Sequence, residues 1–194
     1  RLGDAGERQI MWPTVTLWHV SGAGGDVILS LGPEPSLQWR RFAGDLLAIA
    51  EHFGSTLFLT LGALLADVAH RRPVQLIGTA TDADLIERFD LRRSRYEGPT
   101  GIIGVLHDEF SRAALPSASL WAAVPAYASQ VPSPKASLAL MRRTCEMIGT
   151  PAPVAGPGRE RHRLGLRAPA PAAAWRRQPR GACGHAAAAR RSGG

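Results

Sequence analysis

The sequence predicts an α/β layered sandwich with a central mixed, mostly parallel sheet. Three observations predict it. Strand-like runs alternate with helical periods through the first 150 residues, the pattern of a layered sheet covered by helices. Segment 117–124 (SASLWAAV) reads as a buried strand. Segments 14–20 and 26–31 are separated only by Ser21-Gly22-Ala23-Gly24-Gly25, so they pair as an N-terminal hairpin, which makes the sheet mixed.

The elements follow in order. Segment 14–20 (TVTLWHV) is rich in β-branched and aromatic residues, and 26–31 (DVILSL) is apolar enough to lie centrally in the sheet. Gly32-Pro33-Glu34-Pro35 stops it, and Ser36 is placed to cap a helix. Trp39, Phe42, Leu46, Ile49 and Phe53 recur at spacings of 3, 4, 3 and 4, one helix face aimed at a core, and Gly54 ends that helix. Segment 56–61 (TLFLTL) predicts a strand, with a loop from Gly62 to Arg72, and 73–77 (PVQLI) predicts a short one. Thr81 and Asp84 form a capping pattern for a helix around 82–89. Segment 90–99 is polar and irregular, and Thr100 is placed to cap a helix to about Ala114 whose face is Ile102, Leu106, Phe110 and Ala113. Ser133-Pro134 caps the last helix, with Leu138, Met141, Cys145 and Ile148 as its buried face and Gly149 as its end.

Composition sets the other bounds. The net charge of +7 is unevenly spread: residues 151–194 hold nine arginines and one acid, Glu160, while residues 1–150 hold 14 basic and 15 acidic residues. The first 150 residues are therefore the predicted globular domain. The last 44 are a tail in which Ala, Gly, Pro and Arg supply 34 residues, too poor in large apolar side chains to offset ordering entropy; it is expected to be disordered. Its arginines offer non-specific attraction to nucleic acid but no aromatic platform beyond Trp175, so nucleic acid is not the expected partner. No apolar run is long enough to span a membrane, and the two cysteines, Cys145 and Cys183, exclude a disulfide framework and a four-cysteine zinc site.

Four stretches together carry a resemblance: GPEPSLQWRRF (32–42), LGALLADVAHRRPVQLIGTATD (61–82), SRYEGPTGIIGVLHDEF (94–110) and SLWAAVPAYASQVPSPKASLALMRR (119–143). Over roughly residues 7–150 the chain resembles the proteasome assembly chaperone 2 family, in its actinobacterial branch. Trp12-Pro13-Thr14 looks like the start of the family's second or third strand, so its first strand and helix are expected before Arg1. The resemblance implies a fold like that of the purine nucleoside phosphorylases. It also implies a non-enzymatic, cytoplasmic, oligomeric protein whose partners are proteasome α-subunits, with no cofactor. Two departures matter. The chain ends Arg191-Ser192-Gly193-Gly194, without the hydrophobic-Tyr-X tail by which archaeal members dock. After the 133–148 helix an Arg/Ala/Pro/Gly stretch stands where acidic helical sequence is usual, the composition of a shifted reading frame in GC-rich DNA.

A second reading is an enzyme working in a phosphorylase-like cleft. Its candidate residues are Asp67 and His70, in a loop after a strand where α/β folds bind ligands; Thr79; Glu97, Gly98, Thr100 and Gly101, leading into a helix N-terminus able to hold an anion; and Trp121 and Tyr127, around the end of the last strand. Each has a plainer reading. Asp67 and His70 brace a loop, Thr100 is a cap, and Trp121 packs in the core. His107, Asp108 and Glu109 read as a solvated helix face, and adjacent helical residues point about 100° apart, a poor pair of metal ligands. No metal site and no catalytic set are predicted. A third reading, nucleic-acid association, rests on the tail alone.

Overall fold

In a computed structural model, residues 8, 10–22, 24–95 and 97–152 are described. The chain partitions into units Arg1–His162 and Arg163–Gly194, and every described residue lies in the first. Apart from its first two residues, the tail expected to be disordered lies outside the described residues.

The first two strands, β1 (Thr16–Gly22) and β2 (Gly25–Leu31), pair antiparallel as the sequence predicts. They form a sheet of their own, and most of β2 is exposed, so the expectation of a central place for 26–31 is not met. His19 and Asp26 face each other across the hairpin at 2.8 Å, which holds the Asp26 carboxyl below its ordinary range, and the His19 ring lies 5.4 Å from that of Phe53.

The main sheet contains β3 (Phe58–Ala66), β4 (Leu76–Ala80), the two-residue β5 (Arg92–Arg93) and β6 (Ser117–Pro125), in the order β3-β6-β4-β5. β3 and β6 are parallel, as are β4 and β5, while β4 and β6 are antiparallel. The sheet is thus mixed and mostly parallel, though its antiparallel pair comes from β4 rather than from the hairpin. The cause is the connection 67–75, which contains no helix. A parallel return needs a crossover of a dozen residues or more, so the chain comes back in the opposite sense and β6 later fills the gap.

Four helices cover the two faces: α1 (Trp39–His52) and α3 (Ile102–Arg112) on one, α2 (Ala83–Arg88) and α4 (Pro134–Met147) on the other. On the first face Trp39, Phe42, Ala43 and Leu46 of α1 pack against Ile102, Leu106 and Phe110 of α3 and against Phe58, whose ring stacks on Phe110 at 3.9 Å. On the second, Leu85, Ile86 and Phe89 join Leu140 and Met147 over Leu59, Ala80, Ala118 and Leu120. The Arg143 guanidinium donates to the carbonyl of Phe89, which closes α2, and pairs with Glu146 at 2.8 Å.

Several local expectations shift. The strand over 56–61 continues through Gly62 to Ala66, taking residues expected in a loop, and the strand over 73–77 moves three residues on. Neither Ser36 nor Thr100 is a cap: α1 follows Gln38 in the left-handed region and α3 follows Gly101, both without a side-chain cap bond. Asp82, not Thr81, caps α2, accepting from the Leu85 N–H at 2.9 Å. Ser133 caps α4 as predicted, with Pro134 in its first turn, but the face of α4 that turns inward carries Ala136, Leu140 and Met147, leaving Met141 exposed. Gly54 and Gly149 end their helices at φ of +61° and +68°, where a side chain would strain the backbone.

Two stability measurements check this account. Asp82→Ala should cost about 1 kcal/mol in denaturant unfolding, the usual loss of a helix cap; no loss would mean the bond does not hold α2. The Thr144 hydroxyl is buried without a hydrogen-bond partner among the described residues. Thr144→Val should therefore leave the melting temperature unchanged or raise it, and a drop would show that the hydroxyl is satisfied.

Candidate functional site

The parallel β3 and β6 end together, Ala66 opposite Pro125, so the segments leaving them meet at one end of the sheet. There the Tyr127 hydroxyl, in a single 3-10 turn over Ala126–Ala128, accepts from the His70 backbone N–H at 2.9 Å and lies 2.8 Å from His70 Nδ1. The phenol oxygen accepts the first bond, and the direction of the second follows the tautomer of the ring. Lys135 Nζ donates to the carbonyls of His70 and Arg72 at 3.2 and 2.6 Å. Lys135 is the sole lysine of the sequence and sits in the first turn of α4, where the helix dipole disfavours a cation. Two carbonyls that can satisfy an ammonium offset that cost. The 67–72 loop is thus clasped from two sides. Asp67 opens it, exposed, and Nδ1 of His70 is taken by Tyr127 rather than by a carboxylate.

The segment Glu97, Gly98, Thr100 and Gly101 leads into α3 and is exposed. A short connection joins the far end of α3 to β6, so α3 runs antiparallel to β6 and its N-terminus lies toward the end of the sheet that carries His70 and Tyr127. The place an anion could take there has an internal counterpart: the Glu34 carboxylate accepts a long bond, 3.5 Å, from the Ile102 N–H.

Thr79 and Trp121 sit on the α3 face of the sheet. Thr60, Ser119 and Thr79 are aligned across three strands by register, and the next row is Gly62, Trp121 and Ile77. Trp121 lies over Gly62 so closely that a Cβ there would stand 2.5 Å from its ring, which explains a glycine inside a strand. The candidates therefore fall into three groups: a clasped loop with Asp67, His70 and Tyr127; a helix entry with Glu97, Gly98, Thr100 and Gly101; and a sheet face with Thr79 and Trp121. Among the described residues no cluster of three potential metal ligands occurs.

His107 is not on a solvated face. Its Nε2 lies 2.9 Å from the Thr60 hydroxyl and 2.8 Å from that of Ser119, which are 2.7 Å from each other, and its Nδ1 lies 2.9 Å from the Ser117 hydroxyl. Burial pushes its pKa down from the ordinary value. The sequence carried a signal for this group: serines at 117 and 119 in a buried strand share one face and require a polar partner. Asp108 and Arg112, by contrast, do face solvent and pair at 2.8 Å.

Comparisons with known proteins give the class. The PAC2 family pattern matches residues 2–161, and the chain belongs to that family. A PAC2 family protein from Streptomyces avermitilis is 47% identical, with a TM-score of 0.70, over 77% of this chain and 65% of its own. A proteasome-assembly chaperone homologue from Mycobacterium tuberculosis is 41% identical, with a TM-score of 0.71, over 80% of this chain and 66% of its own. The chain thus spans just under two thirds of the length of either. An archaeal proteasome activator from Pyrococcus furiosus, 16% identical with a TM-score of 0.60 over 78% of this chain and 67% of its own, shares the fold. No curated protein matches.

The clasp makes a local prediction. Tyr127→Phe should hasten tryptic cleavage after Arg71 several-fold, with little change in melting temperature, because it frees an exposed loop and leaves the core alone. Unchanged cleavage would mean that the Tyr127 hydroxyl does not hold the loop.

Proposed function

We propose that the chain acts without catalysis, by protein–protein interaction, in proteasome assembly, with proteasome α-subunits as its partners. The observation that carries this reading is the 41% identity, over 80% of the chain, to a proteasome-assembly chaperone homologue. The geometry supports it. Around the clasped loop stand exposed apolar side chains: Tyr127 is 68% exposed, Val131 67% and Leu65 60%. Tyrosine is favoured at interfaces because it presents a large surface with few torsions to freeze. A loop fixed in advance by Tyr127 and Lys135 loses little entropy on docking. Asp67, His70 and Tyr127 then serve as contact residues or their supports. Glu97, Gly98, Thr100 and Gly101 enter α3 toward the same end of the sheet, while Thr79 and Trp121 lie apart, on the sheet face under α3. The proposed setting is the cytoplasm, and the proposed form a homo-oligomer. No helix among the described residues is long and apolar enough to cross a membrane.

Tagged full-length chain, expressed in an actinobacterial host that has a proteasome, should co-purify proteasome α-subunits. Tyr127→Ala together with Val131→Asp should reduce that recovery at least tenfold while leaving the melting temperature within a few degrees. Recovery without α-subunit, or equal recovery with the double variant, would contradict the assembly role or the surface assigned to it.

A further inference from the structure

We propose that His107 is an acid-sensitive latch between α3 and the sheet, and that proton uptake by its imidazole unfastens the helix. The inference is independent of the assembly reading. His107 projects from α3 onto the junction of β3 and β6, and its bonds to Thr60, Ser117 and Ser119 fasten the helix to the sheet beside its apolar packing. All three hydroxyl residues are buried. The neighbouring ring of Phe58 is 5.7 Å away.

Among the described residues no charge in this setting compensates an imidazolium. β3 and β6 contain no ionisable residue, and neither does β4. Arg40, Arg41, Asp45, Glu51 and His52 of α1 are exposed. On α3 itself Asp108 is engaged with Arg112 at the surface, and Glu109 projects about 200° around the helix from His107. The hydroxyls can turn to accept from a protonated ring, so its hydrogen bonds survive. What is lost is the hydration of the charge, and burial accordingly depresses the pKa.

The direction of the pH effect follows from linkage. Above the ordinary value of 6.5 the ring is neutral whether α3 is packed or released, and the latch is at full strength. Below it the released form takes up a proton that the packed form refuses. Release then becomes up to about tenfold more favourable per pH unit, levelling off once the packed ring itself titrates. The segment carrying Glu97, Gly98, Thr100 and Gly101 enters α3 and is loosened with it.

Amide hydrogen exchange on the full chain at pH 7.5 and 5.5, corrected for intrinsic rates, tests this. The opening equilibrium of α3 should rise by up to about tenfold relative to α4, which is fastened to the opposite face. His107→Gln, which keeps donor and acceptor groups but does not titrate, should abolish that difference. Equal changes in α3 and α4, or an undiminished difference in the variant, would overturn the latch. Should the variant fail to fold, NMR titration of the native His107 ring decides: a midpoint below 6.5 is expected, and one at or above it refutes the proposal.

Discussion

The burial of β6 on both faces is the constraint on which the rest of the structure depends. This strand pairs with β3 on one side and β4 on the other, and its first four residues are all buried. Because side chains alternate, Ala118 and Leu120 face α2 and α4 while Ser117 and Ser119 face α3. A shift of one residue would send Leu120, 1% exposed, to the hydroxyl side and the serines into the apolar cluster under Met147. Register is therefore fixed, and with it the common end of β3 and β6 from which the 67–72 loop and the 126–128 turn emerge.

The two helical layers meet that strand differently. The α2/α4 layer is apolar around Leu120, with Phe89, Leu91 and Met147 packed about it. The α1/α3 layer is apolar around Phe58 and Phe110 but polar over the strand junction, where His107 bridges Thr60, Ser117 and Ser119. Three buried hydroxyls would each be costly alone; one imidazole with two ring nitrogens satisfies them together. The surface features follow from this frame. The clasp of His70, Tyr127 and Lys135 adds no core, but it holds a loop in one shape at the end of the sheet, as a docking surface requires.

The layered class, the hairpin, the buried last strand and all four helices were legible in the sequence: α1, α3 and α4 carry helical periods, α2 a capping pattern, the hairpin a glycine-rich turn between two strand-like runs, and β6 a largely apolar run. What was not legible has identifiable causes. Gly62 looked like a strand end because a glycine ordinarily interrupts pairing, yet here it makes room for Trp121 on the neighbouring strand. The inward face of α4 was misplaced by one position because Met141 is apolar but exposed, while Ala136, a weak signal, is buried. Ser36 and Thr100 are good caps by type, but helix entry was decided by Gln38 and Gly101. Of the candidate site, the His70 loop and Tyr127 were named separately, and their bond across 57 positions was beyond local pattern. His107 was set aside because its neighbours in sequence are charged, although its neighbours in space are hydroxyls.

The burial of β6 is tested most directly by native-state hydrogen exchange along the main sheet at neutral pH. If β6 ties both layers together, the amides of Ser117–Val124 should be the slowest in the chain and exchange only through global unfolding, well behind those of β1 and β2. Exchange of β6 through a smaller opening, at or above the rates of the hairpin, would contradict it.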